Sequence, residues 1–129
     1  MFTSDPTGVW RLRSYYELDE DGRIGEGPLG PEPHGLLLYH ADGFMSVSMM
    51  RTGDFPPGSE QFMGYAGRWR IDGGEIVHTV EVSAHQFQVG VDLVRTASLA
   101  GDRLTLEGVS ATAFRPRRRV LNWQRVVRP

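Results

Sequence analysis

Hydrophobic period two runs through this chain from end to end, and turn signals interrupt it at short intervals. In Gly8–Leu18, Trp10, Leu12, Tyr16 and Leu18 share one face, with Arg11, Arg13 and Glu17 on the other. Such alternation marks a strand with one buried and one wet face. Asp19-Glu20-Asp21-Gly22 then turns the chain. The apolar run His34–Tyr39 ends at His40-Ala41-Asp42-Gly43, whose Asp-Gly pair is a strong hairpin signal, and Phe44–Met50 follows as its partner. Tyr65, Gly67, Trp69 and Ile71 alternate with Arg68 and Arg70, and Asp72-Gly73-Gly74 leads into Glu75–Ser83. Residues 91–99, 103–107 and 119–127 complete eight strands. No segment of about ten residues carries a helical period. Eight strands joined mostly by hairpins can close into an up-and-down barrel, which removes the exposed sheet edges. The expected fold is all-β: one eight-stranded antiparallel barrel spanning residues 1–129, with no room for a second domain.

A barrel of this size is either filled by side chains or holds one small ligand. Three connections are long: 20–33, rich in glycine and proline, where 23–26 has the option of pairing locally; 51–63, with Pro56-Pro57-Gly58; and 109–118. Long connections in a compact domain often serve as lids or binding loops.

Composition narrows the chemistry. The chain has no cysteine, and its 14 basic residues are all arginine. Disulfides, zinc–thiolate sites, thiol nucleophiles, Schiff bases and a phosphate-loop lysine are thereby excluded. His34, His40, His78 and His85 show no metal-ligand spacing, and Gly-x-Ser-x-Gly is absent, so neither a metal nor a cofactor is expected. A formal net charge of −2 argues against nucleic acid or an anionic membrane as partner. The run Arg115-Pro116-Arg117-Arg118-Arg119 reads as a solvated part of the last loop. The first residues, Met1-Phe2-Thr3-Ser4-Asp5-Pro6, lack the basic and apolar regions of a signal peptide, so a cytoplasmic location is expected.

His78 is the leading candidate for chemistry. It stands among Ile76, Val80 and Val82 on an apolar face, where burial lowers an imidazole's pKa and keeps it neutral. It is either a base or hydrogen-bond partner for a ligand, or a satisfied core histidine. The opposite strand parity would instead turn Thr79, Glu81 and Ser83 inward, with Glu81 a buried acid paired to an arginine. Arg95 shares a face with Val91 and Leu93, and facing inward it needs Glu81, a tyrosine hydroxyl or an anionic ligand group as partner. Tyr16 and Tyr65 each offer a ring for packing and a hydroxyl to orient a ligand oxygen. The catalytic candidates are thus His78, Arg95, Tyr16 and Glu81. Tyr65, Trp69, Met45, Met49, Leu38, Phe87 and Trp123 are expected to line an apolar cavity.

Gly8-Val9-Trp10 opens the first strand, and Trp123-Gln124-Arg125 sits in the last. This resembles the lipocalin arrangement, in which a basic residue from the final strand covers the Gly-x-Trp indole. Leu36-Leu37-Leu38-Tyr39, Asp42-Gly43-Phe44-Met45-Ser46, Tyr65-Ala66-Gly67-Arg68, Val77-His78-Thr79-Val80-Glu81-Val82-Ser83 and Gly101-Asp102-Arg103-Leu104-Thr105-Leu106 follow in order. Together they resemble the bacterial lipocalin-like domain family of small cytoplasmic proteins, from about Thr7 to Val127. Two departures stand out: a short stretch between Met50 and Tyr65, and Thr79 where members often carry a second histidine. The resemblance implies a barrel around a hydrophobic small molecule. Such barrels host carriers and enzymes alike. The expected function is a cofactor-independent cyclase or isomerase of polyketide-type secondary metabolism; the alternative is a non-catalytic carrier. A homodimer stays open.

Overall fold

The computed structural model describes residues 5–110 and 117–126. Nine strands form one antiparallel sheet: β1 (Gly8–Leu18), β2 (Ile24–Glu26), β3 (His34–Tyr39), β4 (Phe44–Met50), β5 (Phe62–Asp72), β6 (Glu75–Ser83), β7 (Asp92–Ala100), β8 (Arg103–Ser110) and β9 (Arg117–Arg125). Each strand from β3 onward pairs with the next, and β9 returns to β1 and closes the barrel. Eight strands make the closed wall. The ninth, β2, is the local pairing left open for 23–26: it lies against residues 16–18 of β1, while residues 8–11 of the same edge take β3. A single 3-10 turn, Gln86–Gln88, interrupts the connection from β6 to β7.

Two bulges re-aim the wall. Between Leu12 and Ser14 the register of β1 against β9 slips by one residue, so Arg13 is extra. A slipped residue reverses which face the following side chains occupy. Trp10 and Leu12 face in before the bulge, and Tyr15 is buried after it. The second bulge is at Glu81, where Ala66 pairs with Val82 but Gly67 pairs with Val80. The bulged backbone leans onto β5 there, and a Cβ on Gly67 would run into the Thr79 carbonyl. Only glycine fits that approach. Beyond the bulge Val82 turns outward, 67% exposed, although simple alternation had placed it beside His78.

The barrel has a tight end and a loose end. Turns at 40–43, 73–74 and 101–102 close one end, together with the chain entering β1. There the Arg125 guanidinium lies 4.3 Å from the Trp10 ring centroid. It donates to the Thr7 carbonyl at 2.6 Å and the Asp5 carbonyl at 3.0 Å, and it pairs with Asp102 at 3.4 Å. Gly8, at φ +128°, passes directly beneath it. Trp10 in turn donates its indole N–H to the Pro6 carbonyl at 2.9 Å. Arg125→Leu removes the stacked cation and both carbonyl bonds. It is expected to cost about 1–2 kcal/mol, read from the urea midpoint. An unchanged midpoint would deny the floor any structural weight.

The opposite end carries the long connections 19–33, 51–61 and 84–91, and the barrel opens there. Near the closed end the interior is packed by Trp10, Leu37, Met45, Ile76 and Leu104. The sequence alternation is thus realised as a filled base with an open upper half.

Candidate ligand cavity and its polar centre

The upper half of the barrel encloses a cavity of about 600 Å³. That is within the range of small-molecule sites. Leu37, Val47, Met49, Leu93, Leu106 and Leu121 give it an apolar wall. Glu60, His85 and Phe87 stand at its mouth, where His85 binds Glu60 at 2.8 Å and stacks on Phe87. This bond ties the 51–61 connection to the 84–91 connection across the opening.

His78 is 2% exposed and held by two tyrosines. The Tyr39 hydroxyl lies 2.6 Å from Nε2, and the Tyr65 hydroxyl lies 2.6 Å from Nδ1. Period two delivers all three side chains to the interior: Tyr39 ends the inward face of β3, Tyr65 lies on that of β5, and His78 on that of β6. Burial, reinforced by the nearby Arg95 charge, pushes the His78 pKa down to about 3. Burial likewise raises Tyr39 well above its ordinary value and raises Tyr65, where the Arg95 charge works in the opposite direction. All three groups are therefore neutral at pH 7.

Arg95 faces inward on β7 and its guanidinium packs against Gly108. Among the described residues no carboxylate pairs with it. Arg119, also on the cavity wall, is different: it binds Glu17 at 3.0 Å. Tyr15 stands on the same wall, its pKa raised by burial against the opposing charges of Arg119 and Arg95. Trp123 completes the wall, and its buried indole N–H has no hydrogen-bond partner among the described residues. Below the mouth, where Glu60 stands, the polar groups on the wall are tyrosine hydroxyls, the His78 imidazole and the guanidiniums of Arg95 and Arg119. A histidine with a pKa near 3 is a weak proton acceptor at neutral pH. Among the described residues no three His, Asp or Glu side chains come together to hold a metal ion.

The family model of the lipocalin-like domain matches residues 7–126, nearly the whole chain. The chain belongs to the lipocalin-like domain family. Comparisons with curated proteins and with solved structures find no match. The lipocalin-like barrel is a fold that binds small molecules, and the cavity has the size for one. No helix among the described residues is long and apolar enough to cross a membrane.

The lipocalin-like barrel brings together only part of the residue set expected from the sequence. His78, Arg95, Tyr65, Met49 and Trp123 share the cavity wall, and Phe87 reaches its mouth, 79% exposed. Tyr16 does not: the bulge at Arg13 turns Tyr15 inward in its place. Glu81 is the bulged residue of β6 and lies on the outer surface, 3.4 Å from Arg68, so it is no buried acid. Leu38 points outward, 43% exposed, because Leu37 is the inward member of that leucine run. Met45 and Trp69 pack into the core instead of lining the cavity, Trp69 with its ring 4.8 Å from Tyr39. The basic run is not simply a loop: Arg117, Arg118 and Arg119 open β9, while Arg115 and Pro116 lie outside the described residues. Sequence reasoning missed Tyr39, Tyr15, Arg119 and Gly108. The signal for Tyr39 was present, since it closes an inward-facing register opposite Met45.

Proposed function

We propose that this barrel binds a largely apolar molecule of the polycyclic or polyketide type, with a polarised oxygen seated between Arg95 and Tyr65. We propose further that it accelerates a cofactor-independent cyclisation of that molecule. Arg95 carries the reading: a positive charge faces an apolar cavity with no acid partner among the described residues. A half-buried guanidinium of this kind calls for an oxygen-rich ligand group. Held there, a carbonyl would be polarised by preorganised donors, and the apolar wall would fold the remainder into a reactive conformer. A proton-shuttling isomerase fits less well, because His78 is a poor base and Glu81 is outside.

The same weakness in proton acceptors favours a second reading, a carrier that holds the molecule without changing it. The two separate in one experiment. Protein purified from its native cells is analysed by native mass spectrometry for a bound small molecule. That molecule's acyclic precursor is then incubated with the protein. Ring closure by addition leaves the mass unchanged and closure with loss of water lowers it, so turnover is read by chromatographic retention together with mass. The enzyme reading expects a new peak that Tyr65→Phe reduces by about tenfold or more. Unchanged precursor with retained binding leaves the carrier, and absence of any bound apolar molecule removes both.

A further inference from the structure

A neutral imidazole has one N–H and one bare nitrogen, yet each ring nitrogen of His78 meets a tyrosine hydroxyl at 2.6 Å. One hydroxyl must donate to the bare nitrogen, and the other must accept from the N–H. The two arrangements are not equivalent. Tyr39 is 2% exposed, and His78 is its hydroxyl's only hydrogen-bond partner among the described residues. If Tyr39 accepted, its own hydrogen would be buried with no acceptor, a costly loss. Tyr65 has the cavity in front of it, so its hydrogen can be met by solvent or ligand. Tyr39 therefore donates to Nε2, Nδ1–H donates to Tyr65, and the Tyr65 hydrogen points into the cavity.

We infer that Tyr39 is a positioning residue that locks His78 as the Nδ1–H tautomer, so that Tyr65 is a fixed donor and the cavity selects ligands presenting an acceptor-only oxygen. This rests on the reading that a small molecule occupies this cavity. Arg95 stands on the same cavity wall as Tyr65. It adds donors and no acceptor. A ligand group that can only donate would meet the Tyr65 and Arg95 donors hydrogen to hydrogen. A carbonyl oxygen accepts from either.

The test uses three tricyclic probes of nearly equal shape: 9-fluorenone, an acceptor; carbazole, a donor; and fluorene, which is neither. Their affinities are measured for the wild-type chain, Tyr65→Phe and Tyr39→Phe. Nitrogen-15 NMR reads the His78 tautomer in the empty protein. The expected wild-type result is fluorenone bound about tenfold more tightly than fluorene, with carbazole no better than fluorene. In Tyr65→Phe the fluorenone preference falls to parity while fluorene is unaffected. In Tyr39→Phe the single tautomer is lost and the preference shrinks, again with fluorene unaffected. An Nε2–H tautomer in the wild-type chain overturns the inference, as does a Tyr39→Phe variant that keeps both tautomer and preference. If that variant does not fold, the wild-type tautomer and the Tyr65→Phe selectivity still decide. If none of the three probes binds, the small-molecule reading is what fails, and the tautomer spectrum still judges the relay.

Discussion

Acidification from pH 7 to pH 4 is expected to cost the barrel about 3 kcal/mol of stability through His78 alone. The His78 pKa falls from 6.5 to about 3 on folding, because burial penalises the imidazolium and Arg95 repels it. At pH 7 the ring is neutral in the folded chain and mostly neutral in the unfolded one, so it adds almost no pH dependence. Below pH 6.5 the unfolded chain takes up a proton that the folded chain refuses. Stability then falls with pH until the folded pKa is reached near 3, where the slope ends. Two carboxylates, Asp42 and Asp92, also have lowered pKa values, held by His40 and by Thr79 respectively. Their contribution is lost only as pH falls through the carboxylate range, below the window in which His78 begins to act. The difference in urea midpoint between the wild-type chain and His78→Gln, followed from pH 6.5 to 4.5, therefore reads this histidine. His78→Gln breaks contacts to both tyrosines and lowers stability at pH 7, but its midpoint should fall less than the wild-type midpoint across that window. A wild-type midpoint that does not move between pH 6.5 and 4.5 would mean that His78 is open to water.

The readable part of this protein is what period two encodes directly. His78 was visible because it is a lone polar residue on the more apolar of the two faces of its strand. Met45 and Met49, expected inside, are buried, while their strand neighbours Phe44 and Met50 are exposed. Alternation cannot register a bulge, since one extra residue leaves the composition unchanged and reverses everything after it. Two differences come from that: beyond Arg13 it is Tyr15 and not Tyr16 that reaches the cavity, and beyond Glu81 Val82 turns outward. Three consecutive leucines likewise carry no contrast, so Leu38 could not be told from Leu37. The polar centre was half legible for a different reason. Tyr39 and His78 lie 39 residues apart in sequence, and a barrel closure sets their contact, not a local motif. Arg119 was hidden inside a run of arginines whose average suggests solvent, although one of them turns inward to bind Glu17.

Arg95→Met should move stability and binding in opposite directions. The guanidinium is partly buried, faces an apolar cavity and has no acid partner among the described residues, so the folded empty barrel bears its desolvation. Methionine is unbranched and keeps the apolar stem of the arginine while removing the guanidinium. The variant is expected to gain about 1 kcal/mol in the absence of ligand. It is also expected to lose roughly 10–100-fold in affinity for fluorene-9-carboxylate, which needs the charge, and little for fluorene, which does not. The acid slope supplies a second check, because removing Arg95 removes one of the two causes of the low His78 pKa and should make that slope shallower. An arginine serving only to cover apolar surface would give the reverse pattern: lower stability from lost packing, unchanged carboxylate affinity and an unchanged acid slope. Stability, binding and pH dependence measured on this one variant therefore separate a ligand-facing charge from a structural one.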